Sequence, residues 1–439
     1  MTIITRISQA MQHVLTHTAT EAAQKTGFTQ RQVKVTGANF CQTLVFGWLQ
    51  EPEATLESLC QTGVTVGLEI TPQGLDQRFT KTASDCLYQV LQAALTETIQ
   101  AKAVAIPVLQ RFNGVYIEDS SSITLPEELA PVWSGCGGSG SASNGAVKLQ
   151  VRWDVLHGEI DGPHLVDGRT HDRVASTLNR PLPERSLLIR DLGYWKLEAL
   201  ETMDRTGCCW LSRAQAQTGF VDSSGQSWSQ AAFVRQQTNG SFDIPIELGL
   251  KKRLPARFVG FRVPAEVARE RRRKLKAASK RKGQTVSSAR LVLCDWTLFV
   301  TNVPVDRLTP AEILVLARLR WQIELLFKLW KSHGRIDKSR SEKPWRILCE
   351  LYAKLIGMII QHWSFLMANW QFPDRSFVKA SATVRRHAIN LALAICDLSR
   401  LAESLTMLRS CLSHGVRINK SAKSPHTFQL LLALAELYA

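Results

Sequence analysis

Residues 320–331 read Arg320-Trp321-Gln322-Ile323-Glu324-Leu325-Leu326-Phe327-Lys328-Leu329-Trp330-Lys331. An α-helix advances about 100° per residue, so steps of four and seven return side chains to nearly one face. Such a helix presents the Glu324 carboxylate with Arg320 one turn before it and Lys331 two turns after it. On a polar surface this is an ordinary ion-pair array, and the stretch alone does not separate that from a site. Its surroundings do more. Thr309-Pro310-Ala311-Glu312 is a capping box with proline at the first helical position, and Leu308 and Ile313 are placed as a hydrophobic staple. Gly334 is placed as a C-terminal cap, so the helix is expected from Pro310 to about Ser332 with Glu324 inside it.

Upstream, from Ala103, the apolar period is two. Val115 to Glu118 predicts a strand running into Asp119, and Glu118, its rival as an acidic site residue, falls on the opposite face. Val147, Leu149, Val151, Trp153 and Val155 alternate with polar residues as a half-buried strand, and His157-Gly158 turns it into a partner near Glu159 to Val166. A helical stretch from about His171 to Leu178 follows, then a more continuously apolar strand, Ser186 to Arg190, that ends at Asp191. This order fits an RNase H-like α/β core, in which the first and fourth strands are neighbours and carboxylates at their ends meet. The loop Ser134 to Gly145 is a Gly/Ser-rich connection without the lysine of a phosphate-cradling loop.

The core continues with a helix (Tyr194 to Asp204) and a strand (Cys208 to Ser212). Residues 214–305 then hold strand-like runs, among them Phe258 to Val263 and Leu291 to Val300, and read as a mainly β insertion before the last core helix. Between those runs, Arg269 to Lys282 is dominated by Arg and Lys. A solvated helix would explain it, but so dense a run favours phosphate contact. The expected organisation is a helical DNA-binding region (1–100), the two parts of the core (101–213 and 306–370) flanking the insertion (214–305), and a helical C-terminal region for dimerisation or DNA contact (371–439). In the first region, the segment from Thr55 to Gly63 and a helix opened by Thr71-Pro72 and carrying Gln73, Gln77 and Arg78 suggest a helix-turn-helix.

The formal charge of +16 and pI near 9.6 call for a polyanionic partner, most simply nucleic acid. Residues Met1 to Thr20 lack the continuous apolar block of a signal peptide, and the apolar stretch Ile347 to Ala368 is interrupted by Glu350, Lys354, Gln361 and His362, as in a buried helix. Ten scattered cysteines without zinc spacing predict reduced thiols used as small core residues. The expected location is the bacterial cytoplasm, in association with the nucleoid.

The pattern Arg-x-x-x-Glu-x-x-x-x-x-x-Lys at residues 320–331 resembles the signature helix of DDE transposases of the insertion-sequence-four family. Asp119-Ser120 followed by Ile123-Thr124-Leu125-Pro126, Asp191-Leu192-Gly193-Tyr194-Trp195 and Thr301-Asn302-Val303-Pro304 resemble further motifs of that family, over about residues 100–370. The family's signature opens with a Tyr where this chain has Ala317, so one phosphate contact is missing or replaced. The resemblance implies that Asp119, Asp191 and Glu324 are the catalytic, metal-binding carboxylates, and that Arg320 and Lys331 grip a DNA phosphate. Carboxylates are the hard oxygen ligands that two Mg2+ ions require, with Mn2+ as a substitute, and such a pair serves phosphodiester chemistry. Trp296 falls at the offset where hairpin-forming relatives place an aromatic that stacks on a flipped base.

The implied function is cut-and-paste transposition by a homodimer acting on double-stranded DNA, at terminal inverted repeats and target, through a hairpin intermediate. A structure-selective nuclease without strand transfer and a non-catalytic DNA-binding derivative are the alternatives. No membrane partner is expected.

Overall fold

The computed structural model describes residues 2–30, 34–136, 144–174, 180–368, 370–419 and 425–437. Two compact units emerge. The first is built from residues 1–105, 120–170 and 323–429, and the second from residues 106–119, 171–322 and the stretch from 430 onward. Among the described residues there are ten strands: β1 (Val115–Leu125), β2 (Gly145–Asp154), β3 (Ile160–Asp167), β4 (Leu187–Arg190), β5 (Cys209–Arg213), β6 (Phe220–Asp222), β7 (Ser227–Trp228), β8 (Ser241–Leu248), β9 (Leu254–Arg262) and β10 (Trp296–Thr301).

In the second unit, hydrogen-bonded neighbours run β1-β4-β5-β10-β9-β8-β6-β7. β1, β4 and β5 are parallel, with Val115 opposite Leu187 and Leu187 opposite Cys209. β10 returns antiparallel to β5, and β9, β8 and β6 extend the antiparallel part. The first and fourth strands are thus neighbours, as an RNase H-like core requires. Trp210, Phe220, Phe233, Phe258 and Trp296 fill one apolar cluster beneath the insertion strands. Gly260 is needed there for size, since a Cβ would sit 2.3 Å from the Phe242 ring. The expected strand from Leu291 to Val300 begins only at Trp296. Ser288–Leu293 is instead a short helix, because the Ser287 hydroxyl caps it and the helix Gln230–Arg235 packs against it. Of the helix expected from His171 to Leu178, the described part is a single 3₁₀ turn, Asp172–Val174, and the remainder lies outside the described residues. The loop expected from Ser134 to Gly145 and the tail beyond Asn419 also lie partly outside them.

The first unit holds the second half of β1 with β2 and β3, in the order β3-β2-β1, and a helical assembly. Its axis is the helix Pro344–Ala368, which packs on Lys81–Thr96 and Gly37–Gln50. As expected from its interrupted apolar run, this helix is a core element, and no helix among the described residues is long and apolar enough to cross a membrane. Its interior charges are paired. Lys354 Nζ stands 2.7 Å from Glu350 Oε1 with both side chains buried, and also donates to the carbonyls of Arg335 and Lys338 at 2.9 Å.

The helix opened by Thr71-Pro72 spans only Pro72–Asp76, so Gln77 caps it and Arg78 lies beyond it. Asp76 is held by Lys343 and Arg346, which ties this turn to the start of the long helix. A recognition helix carrying Gln73, Gln77 and Arg78 is therefore not formed. All ten cysteines are free, but Cys136, Cys396 and Cys411 are exposed, against the expectation of core use throughout.

Candidate active site

The register of β1 on β4 sets the first part of the site. Glu118 pairs with Arg190 across the two strands, and their side chains form a buried ion pair, Nε to Oε2, at 2.7 Å. Each is followed by an aspartate, so the alternation of a strand turns Asp119 and Asp191 to the face opposite that pair. Asp119 was expected where its strand ends, yet β1 continues to Leu125. What ends there is β4, whose last residue is Arg190, so β1 runs past its neighbour and Asp119 loses strand cover on that side. Asp191 opens a 3₁₀ turn, Leu192–Tyr194, without using its carboxylate as a cap. Its side chain is 48% exposed and that of Asp119 21%.

The cation that meets them comes from the predicted helix. The capping box at Thr309 and Glu312 forms as read, with Leu308 and Ile313 fully buried. Glu312 is also held by Arg111, at 2.8 Å. The preceding loop is fixed by Asn302, whose Oδ1 accepts from the Trp210 backbone N–H and whose Nδ2 donates to Asp204 and to the Cys208 carbonyl. Arg257 adds bonds to the carbonyls of Val303 and Leu308.

One continuous helix from Pro310 to Ser332 does not form. Pro310–Leu316 passes into a 3₁₀ turn, Ala317–Arg320, and the α-helix resumes at Trp321–Ser332. That turn packs on β4 and β5, with Leu316 and Leu319 buried. It brings Arg320 Nη1 to 3.5 Å from Asp119 Oδ2 and Nε to 3.9 Å from Asp191 Oδ1.

One guanidinium therefore stands between two carboxylates. These are hard oxygen donors of the kind that divalent cations select, and Arg320 supplies positive charge where such an ion would. Arg213, at the end of β5, was not singled out from the sequence. It keeps solvent access, yet crowding by its surroundings and the charges of Arg271 and Arg320 hold its guanidinium below its ordinary basicity, against the pull of Asp191. Its signal was a cation closing the strand beside the one that leads to Asp191.

Glu324 and Lys331 belong to the first unit. Glu324 lies in the first turn of the helix Trp321–Ser332 and is half-buried. Lys331 Nζ donates to the Ser122 carbonyl at 2.9 Å, and desolvation lowers its basicity while Asp337 opposes the shift. Gly334 was expected as a C-terminal cap, and the helix does end just before it, at Ser332, while the positive φ, 50°, falls on Arg335. Gly334 is required for space, since a Cβ there would lie 2.6 Å from the Trp330 carbonyl and 2.7 Å from Met358 Sδ. Among the described residues, no three His, Cys, Asp or Glu side chains are grouped as a metal centre. Trp296, expected to receive a flipped base, is 3% exposed, with Phe242 at 5.4 Å and the Arg262 guanidinium at 5.2 Å from its ring. In this arrangement the Trp296 ring is packed among protein groups.

Residues 110–360 match the family described as Transposase DDE domain. The transposase for insertion sequence element IS231C of Bacillus thuringiensis subsp. berliner is 28% identical over 362 residues, covering 77% of this chain and 75% of that protein. The transposase for IS231F of Bacillus thuringiensis subsp. israelensis is 26% identical over 450 residues, covering 95% and 92%. The transposase for IS1151 of Clostridium perfringens is 25% identical over 363 residues, covering 77% and 76%.

Proposed function

Because the chain belongs to the family of transposases with a DDE domain, we propose that it is a cut-and-paste DNA transposase, working as a homodimer on the inverted repeats of its element. Transposases of this family generally use divalent metal ions, and the ligands assigned here are Asp119, Asp191 and Glu324, with magnesium as the ion. Bound there, two such ions would supply polarisation of the scissile phosphate and of the oxygens that attack and leave it. The side chains provide the rest. The carboxylates offer the oxygen donors, and Arg320 and Lys331 offset charge on the phosphate as it builds in the transition state. A water oxygen attacks phosphorus at the element's end and the 3′-oxygen leaves. That hydroxyl then attacks phosphorus in the opposite strand and expels the flanking DNA's 3′-oxygen, which leaves a hairpin. Water reopens the hairpin and frees the 3′-hydroxyl again, and this attacks a target phosphate and expels a target 3′-oxygen.

The observation that most supports this reading is that Asp119, within β1, and Asp191, just past the end of the adjacent parallel strand β4, share one arginine. Glu324 and Lys331 join the set through the sequence resemblance of their helix.

The test uses a plasmid carrying the inverted repeats that flank the coding region. Asp119→Asn, Asp191→Asn and Glu324→Gln are each expected to abolish nicking in magnesium while end binding in a gel shift persists. Near-parental cleavage by any of them removes that residue from the set. Nicks without joined products from the parent protein would favour the nuclease reading.

A further inference from the structure

The insertion carries a cationic surface that the chemistry above does not use. The helix Ala265–Arg281 is 17 residues long, with eight Arg or Lys against two Glu. Its cations divide by face. The inward stripe runs through Ala268, Arg271, Arg272, Leu275 and Ser279, of which Ala268 and Ser279 are buried. On that stripe, Arg271 donates to the Trp296 carbonyl at 2.9 Å and to the Thr297 hydroxyl at 3.0 Å, and Arg272 pairs with Asp295. These two arginines pin the helix to β10 and to the turn before it.

Arg269, Arg273, Lys276 and Lys280 follow at steps of four, three and four, and all four are exposed. That spacing makes one stripe about 16 Å long. Arg273 is paired with Glu270, itself on the surface, while Arg269, Lys276 and Lys280 have no ion-pair partner among the described residues. Beside the stripe lies an open groove of about 970 Å³, lined by Arg262, Arg269, Arg272, Arg273 and Lys276 over a floor of small residues. Asp295 is the one carboxylate in its lining, and Arg272 already neutralises it.

This pattern selects its partner. A small anion needs donors converging on one point, whereas these cations are spread along a line. A membrane surface needs a broad apolar face on the helix, whereas Val267 is its one exposed large hydrophobic residue. A repeating polyanion meets both conditions. Duplex DNA places one phosphate about every 3.4 Å of axis on each strand, so the stripe spans about five of them. Resting on the transposase reading, we infer that this face of the insertion helix holds the sugar-phosphate backbone of duplex DNA without reading its bases, and that Arg271 and Arg272 keep the stripe rigid on the sheet.

The experiment compares the full-length chain with the variant R269Q/R273Q/K276Q/K280Q and with a control, R205Q/K251Q/K338Q/R400Q, that removes four scattered surface charges. Fluorescence anisotropy is read on an arbitrary-sequence duplex of about 40 base pairs, a length well beyond the stripe, over a salt titration. Four lost phosphate contacts flatten the log–log salt slope by about 3.6, so parental binding falls about 100-fold more steeply than the variant's as salt rises from about 50 to about 200 mM. The control keeps most of the parental slope, and thermal unfolding is unchanged in both. A parental slope in the stripe variant, or an equal loss in the control, overturns the inference and leaves the transposase reading standing. A stripe variant that keeps duplex binding but loses binding to phosphatidylserine vesicles overturns it in favour of a membrane. A parent that binds no duplex at any salt overturns both readings.

Discussion

Arg320→Gln tests whether the guanidinium now between Asp119 and Asp191 competes with a divalent ion for the same two carboxylates. Unit charges about 4 Å apart interact by about 4 kcal/mol at an effective dielectric constant near 20. The side chains here are 24%, 21% and 48% exposed, and the contacts are 3.5 and 3.9 Å. Partly exposed pairs of this kind are worth up to about 1 kcal/mol each. Removing both contacts therefore frees the carboxylates by about 2 kcal/mol, equivalent to about 30-fold in a dissociation constant. Manganese binding to the DNA-free protein, followed by electron paramagnetic resonance, should tighten by about that factor, while Asp119→Asn and Asp191→Asn weaken it. Cleavage by Arg320→Gln should fall, because the phosphate loses its cation as the metal gains affinity. Unchanged or weaker manganese binding in a variant of parental thermal stability would refute the idea that Arg320 occupies the ion's place.

Three further outcomes follow from buried groups. Glu118→Leu leaves Arg190 buried without its partner and should cost about 3–5 kcal/mol in urea unfolding, whereas Glu118→Leu/Arg190→Leu should recover most of it. Equal losses in both variants would show that the unpaired buried charge of Arg190 is not the source of the cost. His362 Nε2 donates to the Gly158 carbonyl at 2.6 Å, and burial pushes its pKa from 6.5 down to about 4. The unfolded chain takes up that proton below about pH 6.5 while the folded chain does not, so its contribution is complete above pH 6.5 and drains away toward pH 4, a loss of about 3 kcal/mol. Urea midpoints at pH 7.5 and pH 4.5 should therefore differ less in His362→Gln than in the parent, and an unaltered difference would remove His362 as the source. Trp296→Ala should open a core cavity costing about 3–5 kcal/mol, with nicking and melting temperature falling together. Intact nicking, lost hairpin products and rescue by an abasic nucleotide would instead return Trp296 to base stacking.

Local chemistry made much of this protein legible in its sequence. The Thr309–Glu312 capping box, the apolar run ending at Asp191 and the alternation through β2 are readable because each depends on residues within one or two turns of chain. The order of elements then placed the first and fourth strands side by side. The placement of partners lay beyond that range. Asp119 sits within β1, because strand length depends on which neighbour supplies hydrogen bonds, and β4 stops first. The break at Ala317–Arg320 follows the packing of Leu316 and Leu319 on β4 and β5, which no 3.6-residue period encodes. Leu291 to Leu293 read as strand because a short apolar run fits a buried strand or a buried helix equally, and the Ser287 cap with a partner helix decided for the latter. The sequence alone determined which residue types were available for chemistry. The tertiary structure decided which charges meet, because Asp119, Asp191 and Arg320 are separated by up to 201 positions in the chain and gain their interaction only when sheet register and helix docking remove that distance.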